Sequence, residues 1–159
     1  MSGEEWALAA AVVFAGLWSG LLGMLVLVMH KMLVQMNGVG FEGFLRAFLP
    51  VGRKAAFNYI CAIGMAVAPI VALILLWGDF GSTSFILTAI GLGLVLGGVY
   101  AVSNIWKEPL YDVMLAWDPE AMPADWETAG RKRYFTINWI QLAATWAAFA
   151  LFLLALIAL

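Results

Sequence analysis

Four long apolar stretches alternate with more polar segments along the chain, and none of the four contains a Lys, Arg, Asp or Glu. A helix needs about 20 residues to cross a bilayer, and each stretch can supply them. The pattern therefore predicts an all-α fold, a four-helix transmembrane bundle that forms a single integral membrane domain over residues 1–159. The predicted spans are Trp6–Met29, Phe57–Trp77, Phe85–Ser103 and Phe135–Leu159.

The loops after the first and third spans are long, and both carry apolar residues at helical spacing. This spacing predicts a short amphipathic helix in each loop, lying along the membrane surface. We expect Pro50 and Gly52 to end the first helix, Pro119 to break the second, and Asp125 to lie near the start of a new helix. The apolar faces are Phe41, Phe44, Leu45 and Phe48 in the first loop and Trp106, Leu110, Val113 and Trp117 in the second.

The composition agrees with a protein whose solvent is largely lipid. Hydrophobic residues make up 65% of the chain and charged residues only 11%, whereas about a quarter of a typical soluble domain is charged. These values exclude a disordered chain, a nucleic-acid-binding protein and an ordinary soluble enzyme. The lipid bilayer is therefore the first expected partner.

The charges predict an orientation. All eight Lys and Arg residues lie in the two long loops, whereas Glu4, Glu5 and Asp79 lie on the opposite side. By the positive-inside rule, the loops are cytoplasmic and both termini are outside. We therefore expect a multi-pass protein of the bacterial inner (plasma) membrane. Because Glu4 and Glu5 stand where a signal peptide has basic residues, we expect the first span to be retained.

Two pairs of glycines have the GxxxG spacing that lets helices approach closely in lipid: Gly16 with Gly20, and Gly93 with Gly97. Packing within the bundle is favoured over a dimer interface. We therefore expect Gly93→Leu or Gly97→Leu to damage the bundle.

Polar side chains recur near the loop end of each span, where burial in lipid would be costly. They either cap helices and reach the headgroups, or they line a shared pocket. The pocket hypothesis predicts that His30, Asn58, Asn104 and Asn138 converge, above a floor formed by the Trp106–Trp117 segment. The longer polar stripes are Tyr100, Ser103, Asn104 and Lys107 in span three and Tyr134, Asn138, Gln141 and Thr145 in span four.

Several kinds of site are absent from the pattern. No carboxylate lies within a span, which argues against a proton- or sodium-coupled transporter. One His and one Cys cannot complete a metal coordination shell, so no metal site and no cofactor are expected. Met29, Met32 and Met36 near His30 could suggest copper, but Met more often fills space in apolar helices.

The second loop carries a series of short motifs that resemble the anthrone oxygenase-like family of small four-span membrane proteins. Span one, with Gly16-Leu-Trp18-Ser-Gly20, and the Phe48-Leu-Pro50 segment are similar more loosely. The resemblance implies a four-helix membrane bundle and, in the characterised branch, oxidation of an anthrone to an anthraquinone by dioxygen without metal or flavin. Relatives often carry Asn at the position of Tyr111 and Arg at that of Gln141. The loop motifs are Asn104-Ile-Trp-Lys-Glu-Pro109-Leu110, Ala116-Trp117-Asp118-Pro119, Pro123-Ala-Asp125-Trp126 and Arg131-Lys-Arg133-Tyr134.

Such a reaction needs a base to remove a proton from carbon and donors that stabilise the enolate. His30 is the candidate base, because its ordinary pKa is near 6.5, and Asn104 and Asn138 are candidate catalytic donors. The candidate ligand-binding residues are Asn58, Gln141 and two aromatic rings that could stack on a flat ligand, Trp106 and Trp117.

Two functions remain open at this point. The first is a small membrane protein that handles an apolar aromatic or quinone-like molecule, extending to a cofactor-independent anthrone oxygenase-like enzyme. The second is a non-catalytic accessory or structural subunit of a larger membrane complex. The absence of Arg at position 141 somewhat favours the second.

Overall fold

The computed structural model describes residues 2–159, and every regular element in that part of the chain is helical. Four helices are long and apolar enough, by length and composition, to cross a membrane. We label five helices in chain order, of which α2 belongs to the first long loop. They are α1 (Gly3–Gln35), α2 (Gly38–Lys54), α3 (Ala56–Asp79), α4 (Thr83–Leu115) and α5 (Trp126–Ile157).

The four long helices form a closed bundle. Helix α1 packs against α3 and α5, and α4 packs against α5 and α3. The turn between α3 and α4 is short and includes Gly81, whose φ of +91° lies in the region that glycine adopts easily. Both long connections therefore lie at the opposite end of the bundle, which we call the loop end.

The helices are longer than the predicted spans, mainly at the loop end. Helix α4 continues beyond Ser103 to Leu115, and α5 begins at Trp126 instead of Phe135. Helices α1 and α4 have 33 residues each and α5 has 32, which is roughly 50 Å of helix. Since the hydrocarbon core is about 30 Å thick, these helices extend well beyond it.

Helices α1, α4 and α5 contain π-helical turns towards the loop end, in which hydrogen bonds join residues five apart. A wider turn changes the direction of the side chains that follow it. Of the apolar face predicted for residues 106–117, Leu110 and Trp117 are buried, whereas Trp106 and Val113 are exposed. The π-helical segments are Met24–Val28, Val95–Ala101, Ser103–Lys107 and Trp126–Lys132.

Helix α2 lies across the loop end. The side chain of Asn37 accepts a hydrogen bond of 2.8 Å from the Gly40 backbone N–H and caps its start. One side of the helix is buried, with Phe41 and Leu45 fully enclosed. The expected end at Pro50 is wrong, because the helix includes this proline and continues to Lys54; the proline ring keeps φ helical and removes only one donor.

The glycines at helix contacts are only partly those expected from GxxxG spacing, since a Cβ atom at Gly16 would lie 3.2 Å from the Phe149 ring. Gly93 and Gly97 are exposed, and a Cβ atom at either position would meet nothing within 4 Å. A Cβ at Gly98, in contrast, would overlap the Ala144 side chain, and one at Gly91 would lie 2.5 Å from the Phe152 ring. The expectation for Gly93 and Gly97 is therefore wrong, since spacing alone does not fix the rotation of a helix.

Candidate functional site

A cavity of about 680 Å³ lies at the loop end between α1, α2, α3 and α4. We call it the loop-end cavity. One wall is apolar and comes from α1 and α2. Its volume lies within the range of roughly 300–1,000 Å³ that is common for small-molecule sites. The apolar lining residues are Trp18, Leu21, Leu22 and Leu25 of α1 and Phe48 and Leu49 of α2.

Another part of the cavity wall contains an ion-pair cluster centred on Arg53, which comes from the same helix α2 as Phe48 and Leu49. The Arg53 guanidinium lies 2.5 Å from a carboxylate oxygen of Glu108 and 3.3 Å from one of Asp112. It also lies 5.2 Å from the centre of the Tyr111 ring. Burial lowers the pKa of Arg53 and the two carboxylates raise it, with a net increase. The cluster joins α2 to α4 and places charged groups on this part of the cavity lining.

Lys107 lines the same cavity but has a different environment. Its Nζ donates a hydrogen bond of 2.8 Å to Oε1 of Gln141, and it lies 5.8 Å from the centre of the Tyr111 ring. Gln141 is buried, and its Nε2 donates to the backbone carbonyl of Val99 at 3.0 Å. The Gln141 amide of α5 therefore contacts two π-helical segments of α4, through Lys107 and Val99.

Asn58 connects two helices at the cavity wall. Its Nδ2 donates a hydrogen bond of 2.7 Å to the carbonyl oxygen of Gly52, near the C-terminus of α2. Carbonyls in the last turn of a helix lack partners within the helix, so Asn58 satisfies one of them. Asn58, a ligand-binding residue predicted from the sequence, lies on the cavity lining.

Two buried donors around this cavity have no partner among residues 2–159. They are Nε1 of Trp18 and Nε of Arg53. A buried indole or guanidinium N–H normally finds an acceptor. These two N–H groups of the lining are therefore available to donate hydrogen bonds to a ligand.

His30 lies elsewhere, in a second cavity of about 390 Å³ formed with Glu127, Arg131 and Phe135 among others. Its ring lies 4.3 Å from the Phe135 ring, in an edge-on arrangement. Its Nδ1 atom is buried and has no partner in the described part of the chain. His30 therefore does not line the loop-end cavity.

The two remaining candidate donors make local hydrogen bonds. Asn104 is exposed and donates to the Tyr100 carbonyl at 2.8 Å. Asn138 is fully buried and donates to the Tyr134 carbonyl at 2.8 Å. The expected convergence of these residues with His30 and Asn58 is therefore wrong: of the four, Asn58 alone lines the loop-end cavity.

The predicted stacking residues also lie away from this cavity. Trp106 is 45% exposed, and Trp117 is buried against Gly130, where a Cβ atom would overlap the indole. Trp18 of α1 is the tryptophan on the cavity lining. The Trp106–Trp117 segment reaches the cavity through its polar residues instead.

Arg53, Lys107 and Tyr111 are among the lining residues that sequence reasoning did not propose for the site. Lys107 did belong to the polar stripe of span three, so a signal for it was present. Arg53 and Tyr111 gave no such signal, because their roles depend on α2 folding back onto α4. Within residues 2–159, no group of three or more His, Cys, Asp or Glu residues could hold a metal ion.

Comparison with known proteins finds a partial likeness. A segment of 50 residues is 44% identical to a probable ABC transporter permease protein of Pyrococcus horikoshii, covering 31% of this chain and 18% of the permease. The matched segment is thus less than a fifth of the permease's length. No family model matches the chain, and no solved structure matches it. The four long apolar helices, together with the likeness to a permease, identify the chain as a multi-pass membrane protein.

Proposed function

We propose that this protein binds an apolar aromatic or quinone-like small molecule in the loop-end cavity. The observation that supports this most directly is that one cavity lining combines apolar and polar side chains. Trp18 and the α1 leucines offer a surface for a flat ring, while Arg53, Asn58 and Lys107 offer polar groups. An apolar pocket with a few polar groups that fix orientation is typical of ligand sites in helix bundles.

The resemblance to the anthrone oxygenase-like family extends this proposal to a reaction. An anthrone would be oxidised by dioxygen to an anthraquinone, with water as the other product. The step needs a base for the proton on carbon and positive charge or donors near the enolate oxygen. Since His30 lies outside the cavity, the carboxylates of Glu108 and Asp112 are the bases on its lining. Although Gln141 stands where relatives often carry Arg, Lys107 lies 2.8 Å from its amide oxygen and supplies a cation at that place.

A direct binding measurement tests the proposed function. We expect native mass spectrometry in gentle detergent to show one bound 9-anthracenemethanol per chain. Ala62→Phe adds a ring to the cavity lining and should weaken binding by at least about tenfold, equivalent to about 1.4 kcal/mol. Ile63→Phe is the matched control, because Ile63 is 61% exposed on the neighbouring position of α3. Equal binding by both variants would place the molecule outside the cavity.

The accessory-subunit hypothesis is supported by one observation, the 50-residue likeness to a permease. Under this hypothesis the chain would pack against a larger membrane complex and the cavity would hold no specific ligand. Purification of the protein in gentle detergent distinguishes the two hypotheses. A stoichiometric protein partner with no bound small molecule would favour the accessory role.

We also propose that the loop end faces the cytoplasm of a bacterium, with α2 along the inner surface of the plasma membrane. An impermeant thiol reagent applied from outside should label Ser2→Cys and Gly78→Cys but not Ala121→Cys, because the basic residues all lie at the loop end. All three positions are exposed, whereas the native Cys61 is buried. Labelling of Ala121→Cys in intact cells would reverse this orientation.

A further inference from the structure

We propose that the loop-end cavity is selective for a ligand that carries an anionic oxygen group, and that Lys107 binds this group. The inference rests on the proposed function and specifies the chemistry of its ligand. It depends on how the charges around the cavity are paired.

Lys107 is the cation of this cavity without a carboxylate partner. An ammonium group has three N–H donors, and within residues 2–159 Lys107 uses one of them, towards the neutral amide of Gln141. No carboxylate oxygen in that part of the chain lies within 4.0 Å of it. A partly buried charge without a counterion is costly, and an anionic ligand would remove that cost.

The other charged groups on the lining form a cluster of one guanidinium and two carboxylates, so the cluster keeps one negative charge in excess. Arg53 holds the carboxylates of both Glu108 and Asp112. The carboxylate next to Lys107 in sequence is thus directed towards α2. The cavity therefore combines a cluster that keeps one negative charge with an ammonium group that lies beyond 4.0 Å of both carboxylates and feels Glu108 only at longer range.

The surroundings of Lys107 fix its position without neutralising it. The hydrogen bond from Gln141 Nε2 to the Val99 carbonyl orients the amide, so its Oε1 is left to accept from Lys107. The face of the Tyr111 ring, 5.8 Å away, stabilises a cation weakly. A glutamate at position 141 would neutralise the Lys107 ammonium group, whereas the neutral Gln141 amide only holds it in position.

The anionic oxygen could belong to a small aromatic molecule or to the headgroup of an acidic lipid. Both molecules carry an anionic group on an apolar body. Such a ligand matches a cavity lining that has polar and apolar parts. The experiment therefore includes a probe for each source.

The test compares two probes that share one ring system, 9-anthracenecarboxylate and neutral 9-anthracenemethanol. Native mass spectrometry should show the wild-type protein binding the carboxylate at least about tenfold more tightly, as expected for a charge-assisted hydrogen bond. Lys107→Met should remove this preference by bringing the affinity for the carboxylate down to that for the alcohol, and thermal unfolding of the variant in detergent shows whether it is folded. Lys107→Arg should retain the preference if the methionine variant is unstable.

Lys54→Met is the matched control, because Lys54 is exposed and lies outside the cavity lining. It should leave the preference for the carboxylate unchanged. Equal binding of the two probes by the wild-type protein, or an unchanged preference in Lys107→Met, would overturn the inference while leaving the proposed function in place. Failure of both probes to bind would refute the proposed function, and this inference with it.

Phosphatidylglycerol provides the lipid arm of the experiment. Displacement of 9-anthracenecarboxylate by this lipid in the wild-type protein, but not of 9-anthracenemethanol from Lys107→Met, would assign the anionic group to a lipid headgroup. If the lipid does not compete and the carboxylate preference holds, the ligand is a free small molecule. Both results support recognition of an anion by Lys107.

Discussion

Gly98→Ala is expected to lower the melting temperature of the protein in detergent by roughly 5 °C, whereas Gly97→Ala leaves it unchanged or raises it. At Gly98 the new methyl group would overlap the Ala144 side chain, so α4 and α5 must move apart. Overpacking of this kind costs about 1–3 kcal/mol. At Gly97 the methyl group meets nothing within 4 Å, and alanine favours a helix over glycine by about 1 kcal/mol.

A second substitution makes this test specific. Ala144→Gly removes the group that Gly98→Ala would overlap, so the double variant should regain most of the lost stability. The measurement is thermal unfolding of the two single variants and the double variant in the same detergent. If Gly98→Ala and Gly97→Ala gave equal melting temperatures, the contact between α4 and α5 at this level would be wrong.

Arg131→Met is expected to have a larger effect, a fall of roughly 10 °C in melting temperature. Arg131 is only 7% exposed, and its Nη1 donates to the carbonyls of Val34 and Met36 at 2.9 and 2.8 Å. These carbonyls end α1 and have no partner within the helix. Loss of two charge-assisted hydrogen bonds costs about 3 kcal/mol. The ion pair with Glu127 adds little, because that carboxylate is half exposed.

Arg133→Met provides the control, because Arg133 is exposed and lies two residues further along the same helix. It removes the same charge and should change the melting temperature by no more than a degree or two, as for most surface substitutions. Arg131→Lys should be intermediate, since one ammonium cannot reproduce the planar guanidinium fork. Similar melting temperatures for Arg131→Met and Arg133→Met would show that the α1–α5 connection at the loop end is not held as described.

The sequence was sufficient to predict the four long helices, because a chain in lipid must satisfy its backbone hydrogen bonds internally. Their ends were harder to predict. Past Ser103 and before Phe135 the residues become polar, which normally marks the end of a span. In the structure both helices continue there through π-helical turns. The pattern of hydrophobic residues does not predict such turns.

The candidate site was also only partly predictable from the sequence. Its position at the loop end could be predicted, since polar residues concentrate there. The identity of its residues could not, because small rotations decide which side chains face inwards. Ser103 and Lys107 line the cavity, whereas Asn104, between them in the same polar stripe, is exposed. Arg53 enters the site only because α2 folds back over the bundle.

The unequal lengths of the helices make the cavity sensitive to bilayer thickness. Helix α3 has 24 residues, roughly 36 Å, and is the membrane helix whose length lies nearest to the hydrocarbon core. Its first turns carry Asn58, Tyr59 and Ala62, which form one side of the cavity. Hydrophobic mismatch shifts or tilts such a helix relative to the lipid. A thicker membrane therefore brings the mouth of the cavity into contact with acyl chains, and a thinner one exposes it to headgroups and water.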